Sequence, residues 1–201
     1  TQIIGNTAAV PGCTDTAATN YNPLANVDDG SCAYPVTCVA TAPYTESFSS
    51  GILPVGTCTG GWASSVVSGD GWRFTGNPGY AATSNGRAAG TYAWVDFSGV
   101  DAGAILKVED IDISGLTTPT LGFDYFSDLG TYTLSPYNIL YVEAWDGTSW
   151  GSIDTLQLNV PGWNSYFYPL SNHTFSTNIV RVRFRAESGG ETFDFYNDLL
   201  L

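Results

Sequence analysis

Several stretches of the chain alternate hydrophobic and polar residues with a period of two, and none shows the 3.6-residue period of an amphipathic helix. The clearest is Ile179 to Ala186, IVRVRFRA, where Val180, Val182, Phe184 and Ala186 alternate with Arg181, Arg183 and Arg185. That pattern predicts a half-buried strand with one cationic face. Thr91 to Phe97 predicts a strand with Tyr92, Trp94 and Asp96 on one side and Ala93, Val95 and Phe97 on the other. Ala104 to Val108 follows, then Thr120 to Ser127 with Leu121, Phe123 and Tyr125 on one side. Ile139 to Trp145 ends at Asp146-Gly147, a hairpin turn signal, and Trp150 to Leu156 continues beyond it. Tyr166 to Leu170 completes the set. Short strands separated by Gly, Pro, Asn and Asp predict an all-β fold, an antiparallel two-sheet jelly-roll sandwich over 44–201.

Upstream of Tyr44 the pattern fails. Thr1 to Pro11 reads as a linker, and Pro35 and Pro43 flank a short joining piece. Between them, 12–34 is expected to be a separate acidic module. Cys13 and Cys32 bracket three aspartates and three asparagines with almost nothing to build a core. Such a segment cannot fold on apolar burial, so a Cys13–Cys32 disulfide, a bound cation or both must hold it. In the chain-entropy view a loop of that size gains about 3 kcal/mol from the disulfide. Calcium takes six to eight oxygen ligands, and Asp15, Asn20, Asn22, Asn26, Asp28 and Asp29 offer such a set, with Gly30 permitting a sharp turn. The same residue types also form Asx-turns without any metal.

Composition narrows the function classes. Nineteen acidic residues against six basic ones give a net charge of −13, which repels phosphate backbones and anionic lipid headgroups. Nucleic-acid partners are therefore not expected. No apolar run is long enough to span a bilayer, so direct membrane insertion is not expected either. The four cysteines, Cys13, Cys32, Cys38 and Cys58, are an even set in the first third of the chain, as in an oxidised extracellular framework. No signal peptide is visible, and the chain reads as a mature or excised fragment.

Catalysis finds little support. The single histidine, His173, stands in a loop-like Ser171-Asn172-His173-Thr174. One histidine cannot build the usual zinc site, and no nucleophile-elbow motif is present. Six tryptophans exceed what one small core requires. Trp150, Trp163 and Tyr166 sit among polar turn residues, where ring faces can take the apolar side of a pyranose. Trp94 and Trp145, at strand positions, are expected in the core. Asn172-His173-Thr174 also fits the N-glycosylation sequon.

The order of motifs from Glu46 onward resembles a MAM domain, an adhesion-associated jelly roll. The matching pieces are Glu46-Ser47-Phe48, Gly61-Trp62, Gly90 to Asp96, Ala102 to Val108, Leu121 to Tyr125, Leu140-Tyr141-Val142, Trp145-Asp146-Gly147, Val182-Arg183-Phe184 and Asn197 to Leu201. Animal MAM domains carry cysteines deeper in the sandwich, whereas nothing follows Cys58, so the similarity is to bacterial MAM-like modules. In that family the last strand runs on into a pair of aspartates, so the chain reads as cut short there. The resemblance implies a structural calcium held by Glu46, Asp96, Asp101 and Asp198. Separately, Cys13-Thr14-Asp15, Asn20-Tyr21-Asn22-Pro23 and Asp28-Asp29-Gly30-Ser31-Cys32 resemble a short repeat of secreted and surface proteins of Bacteroidetes-type bacteria. That resemblance implies a large multidomain protein exported by the type IX route. In the same setting Asp15-Thr16-Ala17 and Asp154-Thr155-Leu156 resemble O-glycosylation acceptors at Thr16 and Thr155.

Together these expectations describe a non-catalytic, calcium-stabilised adhesion or interaction module of a secreted or cell-surface protein. Its expected partner is an extracellular protein or a glycan. The alternatives are a carbohydrate-binding module using exposed Trp and Tyr, or a self-associating filament subunit joined through open sheet edges.

Overall fold

The computed structural model describes residues 9–14, 16, 20–29, 39–57, 61–76, 91–97, 102–127, 137–176, 178–189 and 199–201, with backbone alone for Asp28, Leu199 and Leu200. The chain forms two compact units, Thr1–Thr37 and Cys38–Leu201.

In the first unit, β1 (Pro11–Gly12) pairs in parallel with β2 (Val27–Asp28). Side-chain amides substitute for an apolar core. The Asn26 Oδ1 accepts from the Val10 N–H at 2.8 Å, and the Asn22 Oδ1 accepts from the Leu24 N–H at 3.0 Å. The second contact is an Asx-turn. Cys13 is buried and disulfide-bonded. Cys32, Cys38 and Cys58 lie outside the described residues, and so does the expected pairing of Cys13 with Cys32.

The second unit is all-β, with no helix among the described residues. Its strands in chain order are β3 (Ala40–Thr41), β4 (Ala63–Ser65), β5 (Trp94–Val95), β6 (Ala104–Lys107), β7 (Ile111–Asp112), β8 (Thr120–Ser127), β9 (Ile139–Trp145), β10 (Trp150–Leu156), β11 (Val160–Pro169), β12 (Thr174–Ser176), β13 (Ile179–Val180), β14 (Val182–Glu187) and β15 (Leu199–Leu200). One antiparallel sheet runs β10-β9-β14-β6-β4 and another runs β11-β8-β15-β5. A third, β12-β13-β7-β3, holds the single parallel pair of this unit among the described strands, β3 with β7.

Alternation decides what lies between the layers. Leu106, Leu140, Val142, Val182, Phe184 and Ala186 of the five-stranded sheet share one buried cluster with Ala93, Val95, Phe97 and Tyr125 of the facing layer. Phe123 and Phe184 meet edge to face across it, ring centroids 5.0 Å apart. Burial of these side chains is the main stabilising term of the unit. The cationic residues of IVRVRFRA fall outside it, as the period of two requires.

Four predicted elements differ in extent. Thr91 to Phe97 is a strand only over Trp94–Val95, and the strand from Ala104 ends at Lys107. Ile179 to Ala186 is interrupted at Arg181, whose guanidinium makes two bonds to Asp110, at 2.6 and 2.7 Å. β11 begins at Val160 instead of Tyr166, with a register shift between Val160 and Trp163 where Pro161 and Gly162 stand.

Candidate functional site

The outward faces of the two large sheets are chemically different. On the five-stranded sheet, register places Lys107, Arg183 and Glu143 in one row and Ile105, Arg185 and Tyr141 in the next. Glu143 is 7% exposed and accepts from the Arg183 Nε at 2.6 Å and the Arg185 Nη2 at 3.2 Å. Arg185 also pairs with Glu187. The guanidiniums then cap the aromatic rings. Arg183 lies 4.2 Å from the Trp150 ring centroid and Arg185 lies 3.8 Å from that of Tyr141. Cation–π stacking of this kind occupies the ring face that a sugar would need.

The outward face of the β11-β8-β15-β5 sheet is built differently. A row of mutually registered residues crosses it, Trp94, Leu200, Phe126 and Trp163. Tyr92, Trp94 and Phe126 are buried together there, with the half-buried Trp163 packed against them. Its ring lies 5.6 Å from Phe126 and 5.9 Å from Tyr92. The next row along β8 and β11 is polar, with the Ser165 hydroxyl donating to the Asp124 Oδ1 at 2.6 Å. After it comes Phe167 opposite Gly122. A side chain at Gly122 would start 3.0 Å from the Phe167 ring, so the absent Cβ is what lets that ring sit over the strand. Phe167 is 70% exposed.

The result is a strip with a half-exposed indole, a carboxylate–hydroxyl pair and an exposed phenyl ring. Consecutive same-face residues on a strand lie roughly 7 Å apart, so the two rings stand about 13 Å from each other. Neither β8 nor β11 contains a Lys or Arg. A cavity of about 570 Å³ also reaches these residues. Its lining takes in Gly122, Asp124, Trp163 and Tyr92, together with Glu46 and the inward-facing Leu121, Phe123 and Phe184.

The three aromatic residues singled out from sequence thus separate. Trp163 is on the strip. Tyr166, three positions on, has the opposite parity and packs inward, stacked on Phe123 at 5.8 Å. That corrects the expectation of an exposed Tyr166. Trp150 lies beside Trp145 on the other sheet, under Arg183. Trp145 is half-buried there, on the outward face, and the expected core position belongs to Trp94, in the smaller aromatic cluster. Sequence reasoning passed over Asp124, Ser165 and Phe167. Parity counted from Trp163 along one strand finds the last two, and register with β8 finds the first.

Two of the cation candidates in the second unit have partners within the chain. The Glu46 Oε1 accepts from the Phe48 N–H at 2.6 Å, and the Asp96 Oδ2 pairs with Arg73 at 2.9 Å. Asp101 and Asp198 lie outside the described residues, as does Asp15. Asn20, Asn26 and Asp29 are exposed. No group of three His, Cys, Asp or Glu side chains able to hold a metal occurs among the described residues. Thr16 and Thr155 are both exposed. His173 occupies a turn, its backbone N–H bonded to the Leu170 carbonyl at 3.0 Å. No helix among the described residues is long and apolar enough to cross a membrane.

No protein-family model matches the chain. One curated protein, ribulose bisphosphate carboxylase/oxygenase activase 1, chloroplastic, of Larrea tridentata, is 58% identical over 33 residues, which are 16% of this chain and 7% of that protein. Three solved structures bear a distant likeness. TmCBM61, solved with beta-1,4-galactotriose, has a TM-score of 0.46 at 10% identity, covering 77% of this chain and 88% of its own. The CBM22-2 xylan-binding domain of Paenibacillus barcinonensis Xyn10C has a TM-score of 0.39 at 13% identity, covering 77% and 91%. A CBM4 structure has a TM-score of 0.34 at 14% identity, covering 64% and 81%.

Proposed function

We propose that the chain is a non-catalytic glycan-binding module of a secreted or cell-surface protein, and that it holds sugar along the outward strip of β8 and β11. The observation that carries this reading is the arrangement of Trp163 and Phe167 on one face with the Asp124–Ser165 pair between them. Ring faces take the apolar side of a pyranose, and a carboxylate with a hydroxyl beside it takes sugar hydroxyls. The lack of basic residues on both strands, with the net charge of −13, favours neutral glycans over uronate or sulfated ones. The adhesion role implied by the MAM-like order of motifs is also binding without catalysis, and the disulfide-closed module belongs to the same extracellular reading.

The test is titration calorimetry against a panel of neutral and acidic oligosaccharides, using the wild type, Trp163→Ala and Phe167→Ala. We expect binding to a neutral glycan and a loss of tenfold or more in each variant. A silent panel, or full affinity in the Trp163→Ala/Phe167→Ala double variant, overturns the reading.

A further inference from the structure

We propose that β11 is a self-docking edge, through which two copies of the chain join by antiparallel β11–β11′ pairing centred on Ser165. β11 is a ten-residue strand at the edge of its sheet, paired with β8 alone among the described strands. Its own sequence shows which backbone groups face away. The Leu170 N–H bonds toward the Pro119 carbonyl at the start of β8, so even-numbered residues point to that neighbour. Pro169, which has no N–H to give the ladder, then falls on the odd set, the edge-facing position where proline is tolerated. Trp163, Ser165 and Phe167 therefore turn their N–H and C=O groups to the open edge. No charge interrupts Val160 to Pro169, so the strand lacks the lysines by which edges are usually kept apart.

The partner is a second copy because the strand is self-complementary about Ser165. A two-fold axis there sets Trp163 of each copy opposite Phe167 of the other, and Pro161 of each against Pro169 of the other, so that the prolines close the ladder at both ends. This gives the exposed Phe167 an aromatic neighbour on the same face, the kind of cross-strand pair that stabilises sheets. The arrangement is isologous and closes as a dimer. It does not depend on sugar binding, although it would lay the two strips end to end.

Three measurements on the full chain test it. Sedimentation velocity over a concentration series should show a monomer–dimer equilibrium, with the dimer lost in Ser165→Pro, which removes an edge-facing N–H and no backbone bond to β8, and kept in Ser165→Ala, which like the proline loses the hydroxyl's bond to Asp124. Raising salt should favour the dimer, because each copy carries −13. Mild oxidation of Ser165→Cys should give an intermolecular disulfide between the two introduced thiols, since directly opposed residues have Cα atoms about 5.5 Å apart. Phe167→Cys should not cross-link, its two copies being roughly 13 Å apart along the strands. A wild type monomeric at high-micromolar concentration, a dimer weakened by salt, equal cross-linking of the two cysteine variants, or growth beyond a dimer each overturns the proposal. If Ser165→Pro fails to fold, the cysteine pair still decides it.

Discussion

The guanidinium of Arg183 lies over the indole of Trp150, 4.2 Å from the ring centroid, while its Nε bonds Glu143 at 2.6 Å. One carboxylate thereby fixes the orientation of the cation that covers the ring. Burial opposes ionisation of Glu143, but hydrogen bonds and charge from Arg185 and Arg183 outweigh it and hold its pKa below the ordinary carboxylate value. Glu143→Gln leaves two partly buried guanidiniums under-compensated and should cost about 2–3 kcal/mol at pH 7. The sign with pH follows from the depressed pKa. The stabilisation is complete above the unfolded-state value of about 4.3 and is lost as pH falls through the lower folded value. Urea unfolding at pH 7 and pH 3 should show the gap between wild type and Glu143→Gln narrowing in acid. A gap independent of pH would mean that Glu143 acts by packing and not by charge.

Gly122 and Phe167 form the second lever. An added Cβ at Gly122 meets the Phe167 ring at 3.0 Å, and that ring is free to swing because it is largely exposed. Gly122→Ala should therefore change stability by less than about 1 kcal/mol while displacing one end of the strip. Calorimetry with the glycan bound best by the wild type should show several-fold weaker binding at an unchanged unfolding midpoint.

The strands that sequence foretold are those with long, clean alternation. β8, β9 and β10 have the predicted bounds, and both faces of Thr91 to Phe97 are sorted as expected, with Ala93, Val95 and Phe97 in one cluster and Tyr92 and Trp94 in another. Two-residue strands such as β3, β7 and β15 carry no period to read, because their pairing is fixed by distant partners. The strand breaks at Arg181 where the chain changes sheets, β13 pairing with β7 and β14 with β6 and β9, an exchange of partners that local alternation does not encode. The strip was half legible. Trp163 stood out by type, but choosing Phe167 over Tyr166 needed the register with β8, which composition does not hold.

A buried network near the start of the second unit gives a prediction on stability. Glu109 is 1% exposed and accepts from the Thr57 N–H through both oxygens, at 3.1 and 2.9 Å. Trp62 donates to the Tyr44 hydroxyl at 2.9 Å, and burial, partly offset by that bond and reinforced by Glu109, pushes the Tyr44 pKa up to about 12. Gly56 sits at φ +72°, where a Cβ would fall 2.7 Å from the Glu109 Oε2. Gly56→Ala combines left-handed strain with a clash against a buried carboxylate, and should cost about 2 kcal/mol or more in urea unfolding. The raised Tyr44 pKa has its own sign. Its contribution is complete below the unfolded value of about 10 and is lost as pH rises toward 12, so Tyr44→Phe should flatten the alkaline limb of the stability profile.

Calcium in the first unit is proposed on its donor set. The set is Asp15, Asn20, Asn22, Asn26, Asp28 and Asp29, of which the Asn22 Oδ1 accepts the Leu24 N–H in an Asx-turn and the Asn26 Oδ1 accepts the Val10 N–H from across the segment. An ion bound only to the folded unit raises stability as RT ln(1 + [L]/Kd), so the effect must grow with calcium concentration. Thermal unfolding of the full chain should show a midpoint several degrees higher in millimolar calcium than in chelator, and Asp29→Asn should shrink that difference. Magnesium should substitute poorly, because it demands tighter octahedral geometry than a turn-rich segment supplies. Equal midpoints in calcium and chelator would leave the disulfide at Cys13 and the backbone hydrogen bonds of Asn22 and Asn26 as what holds this segment together.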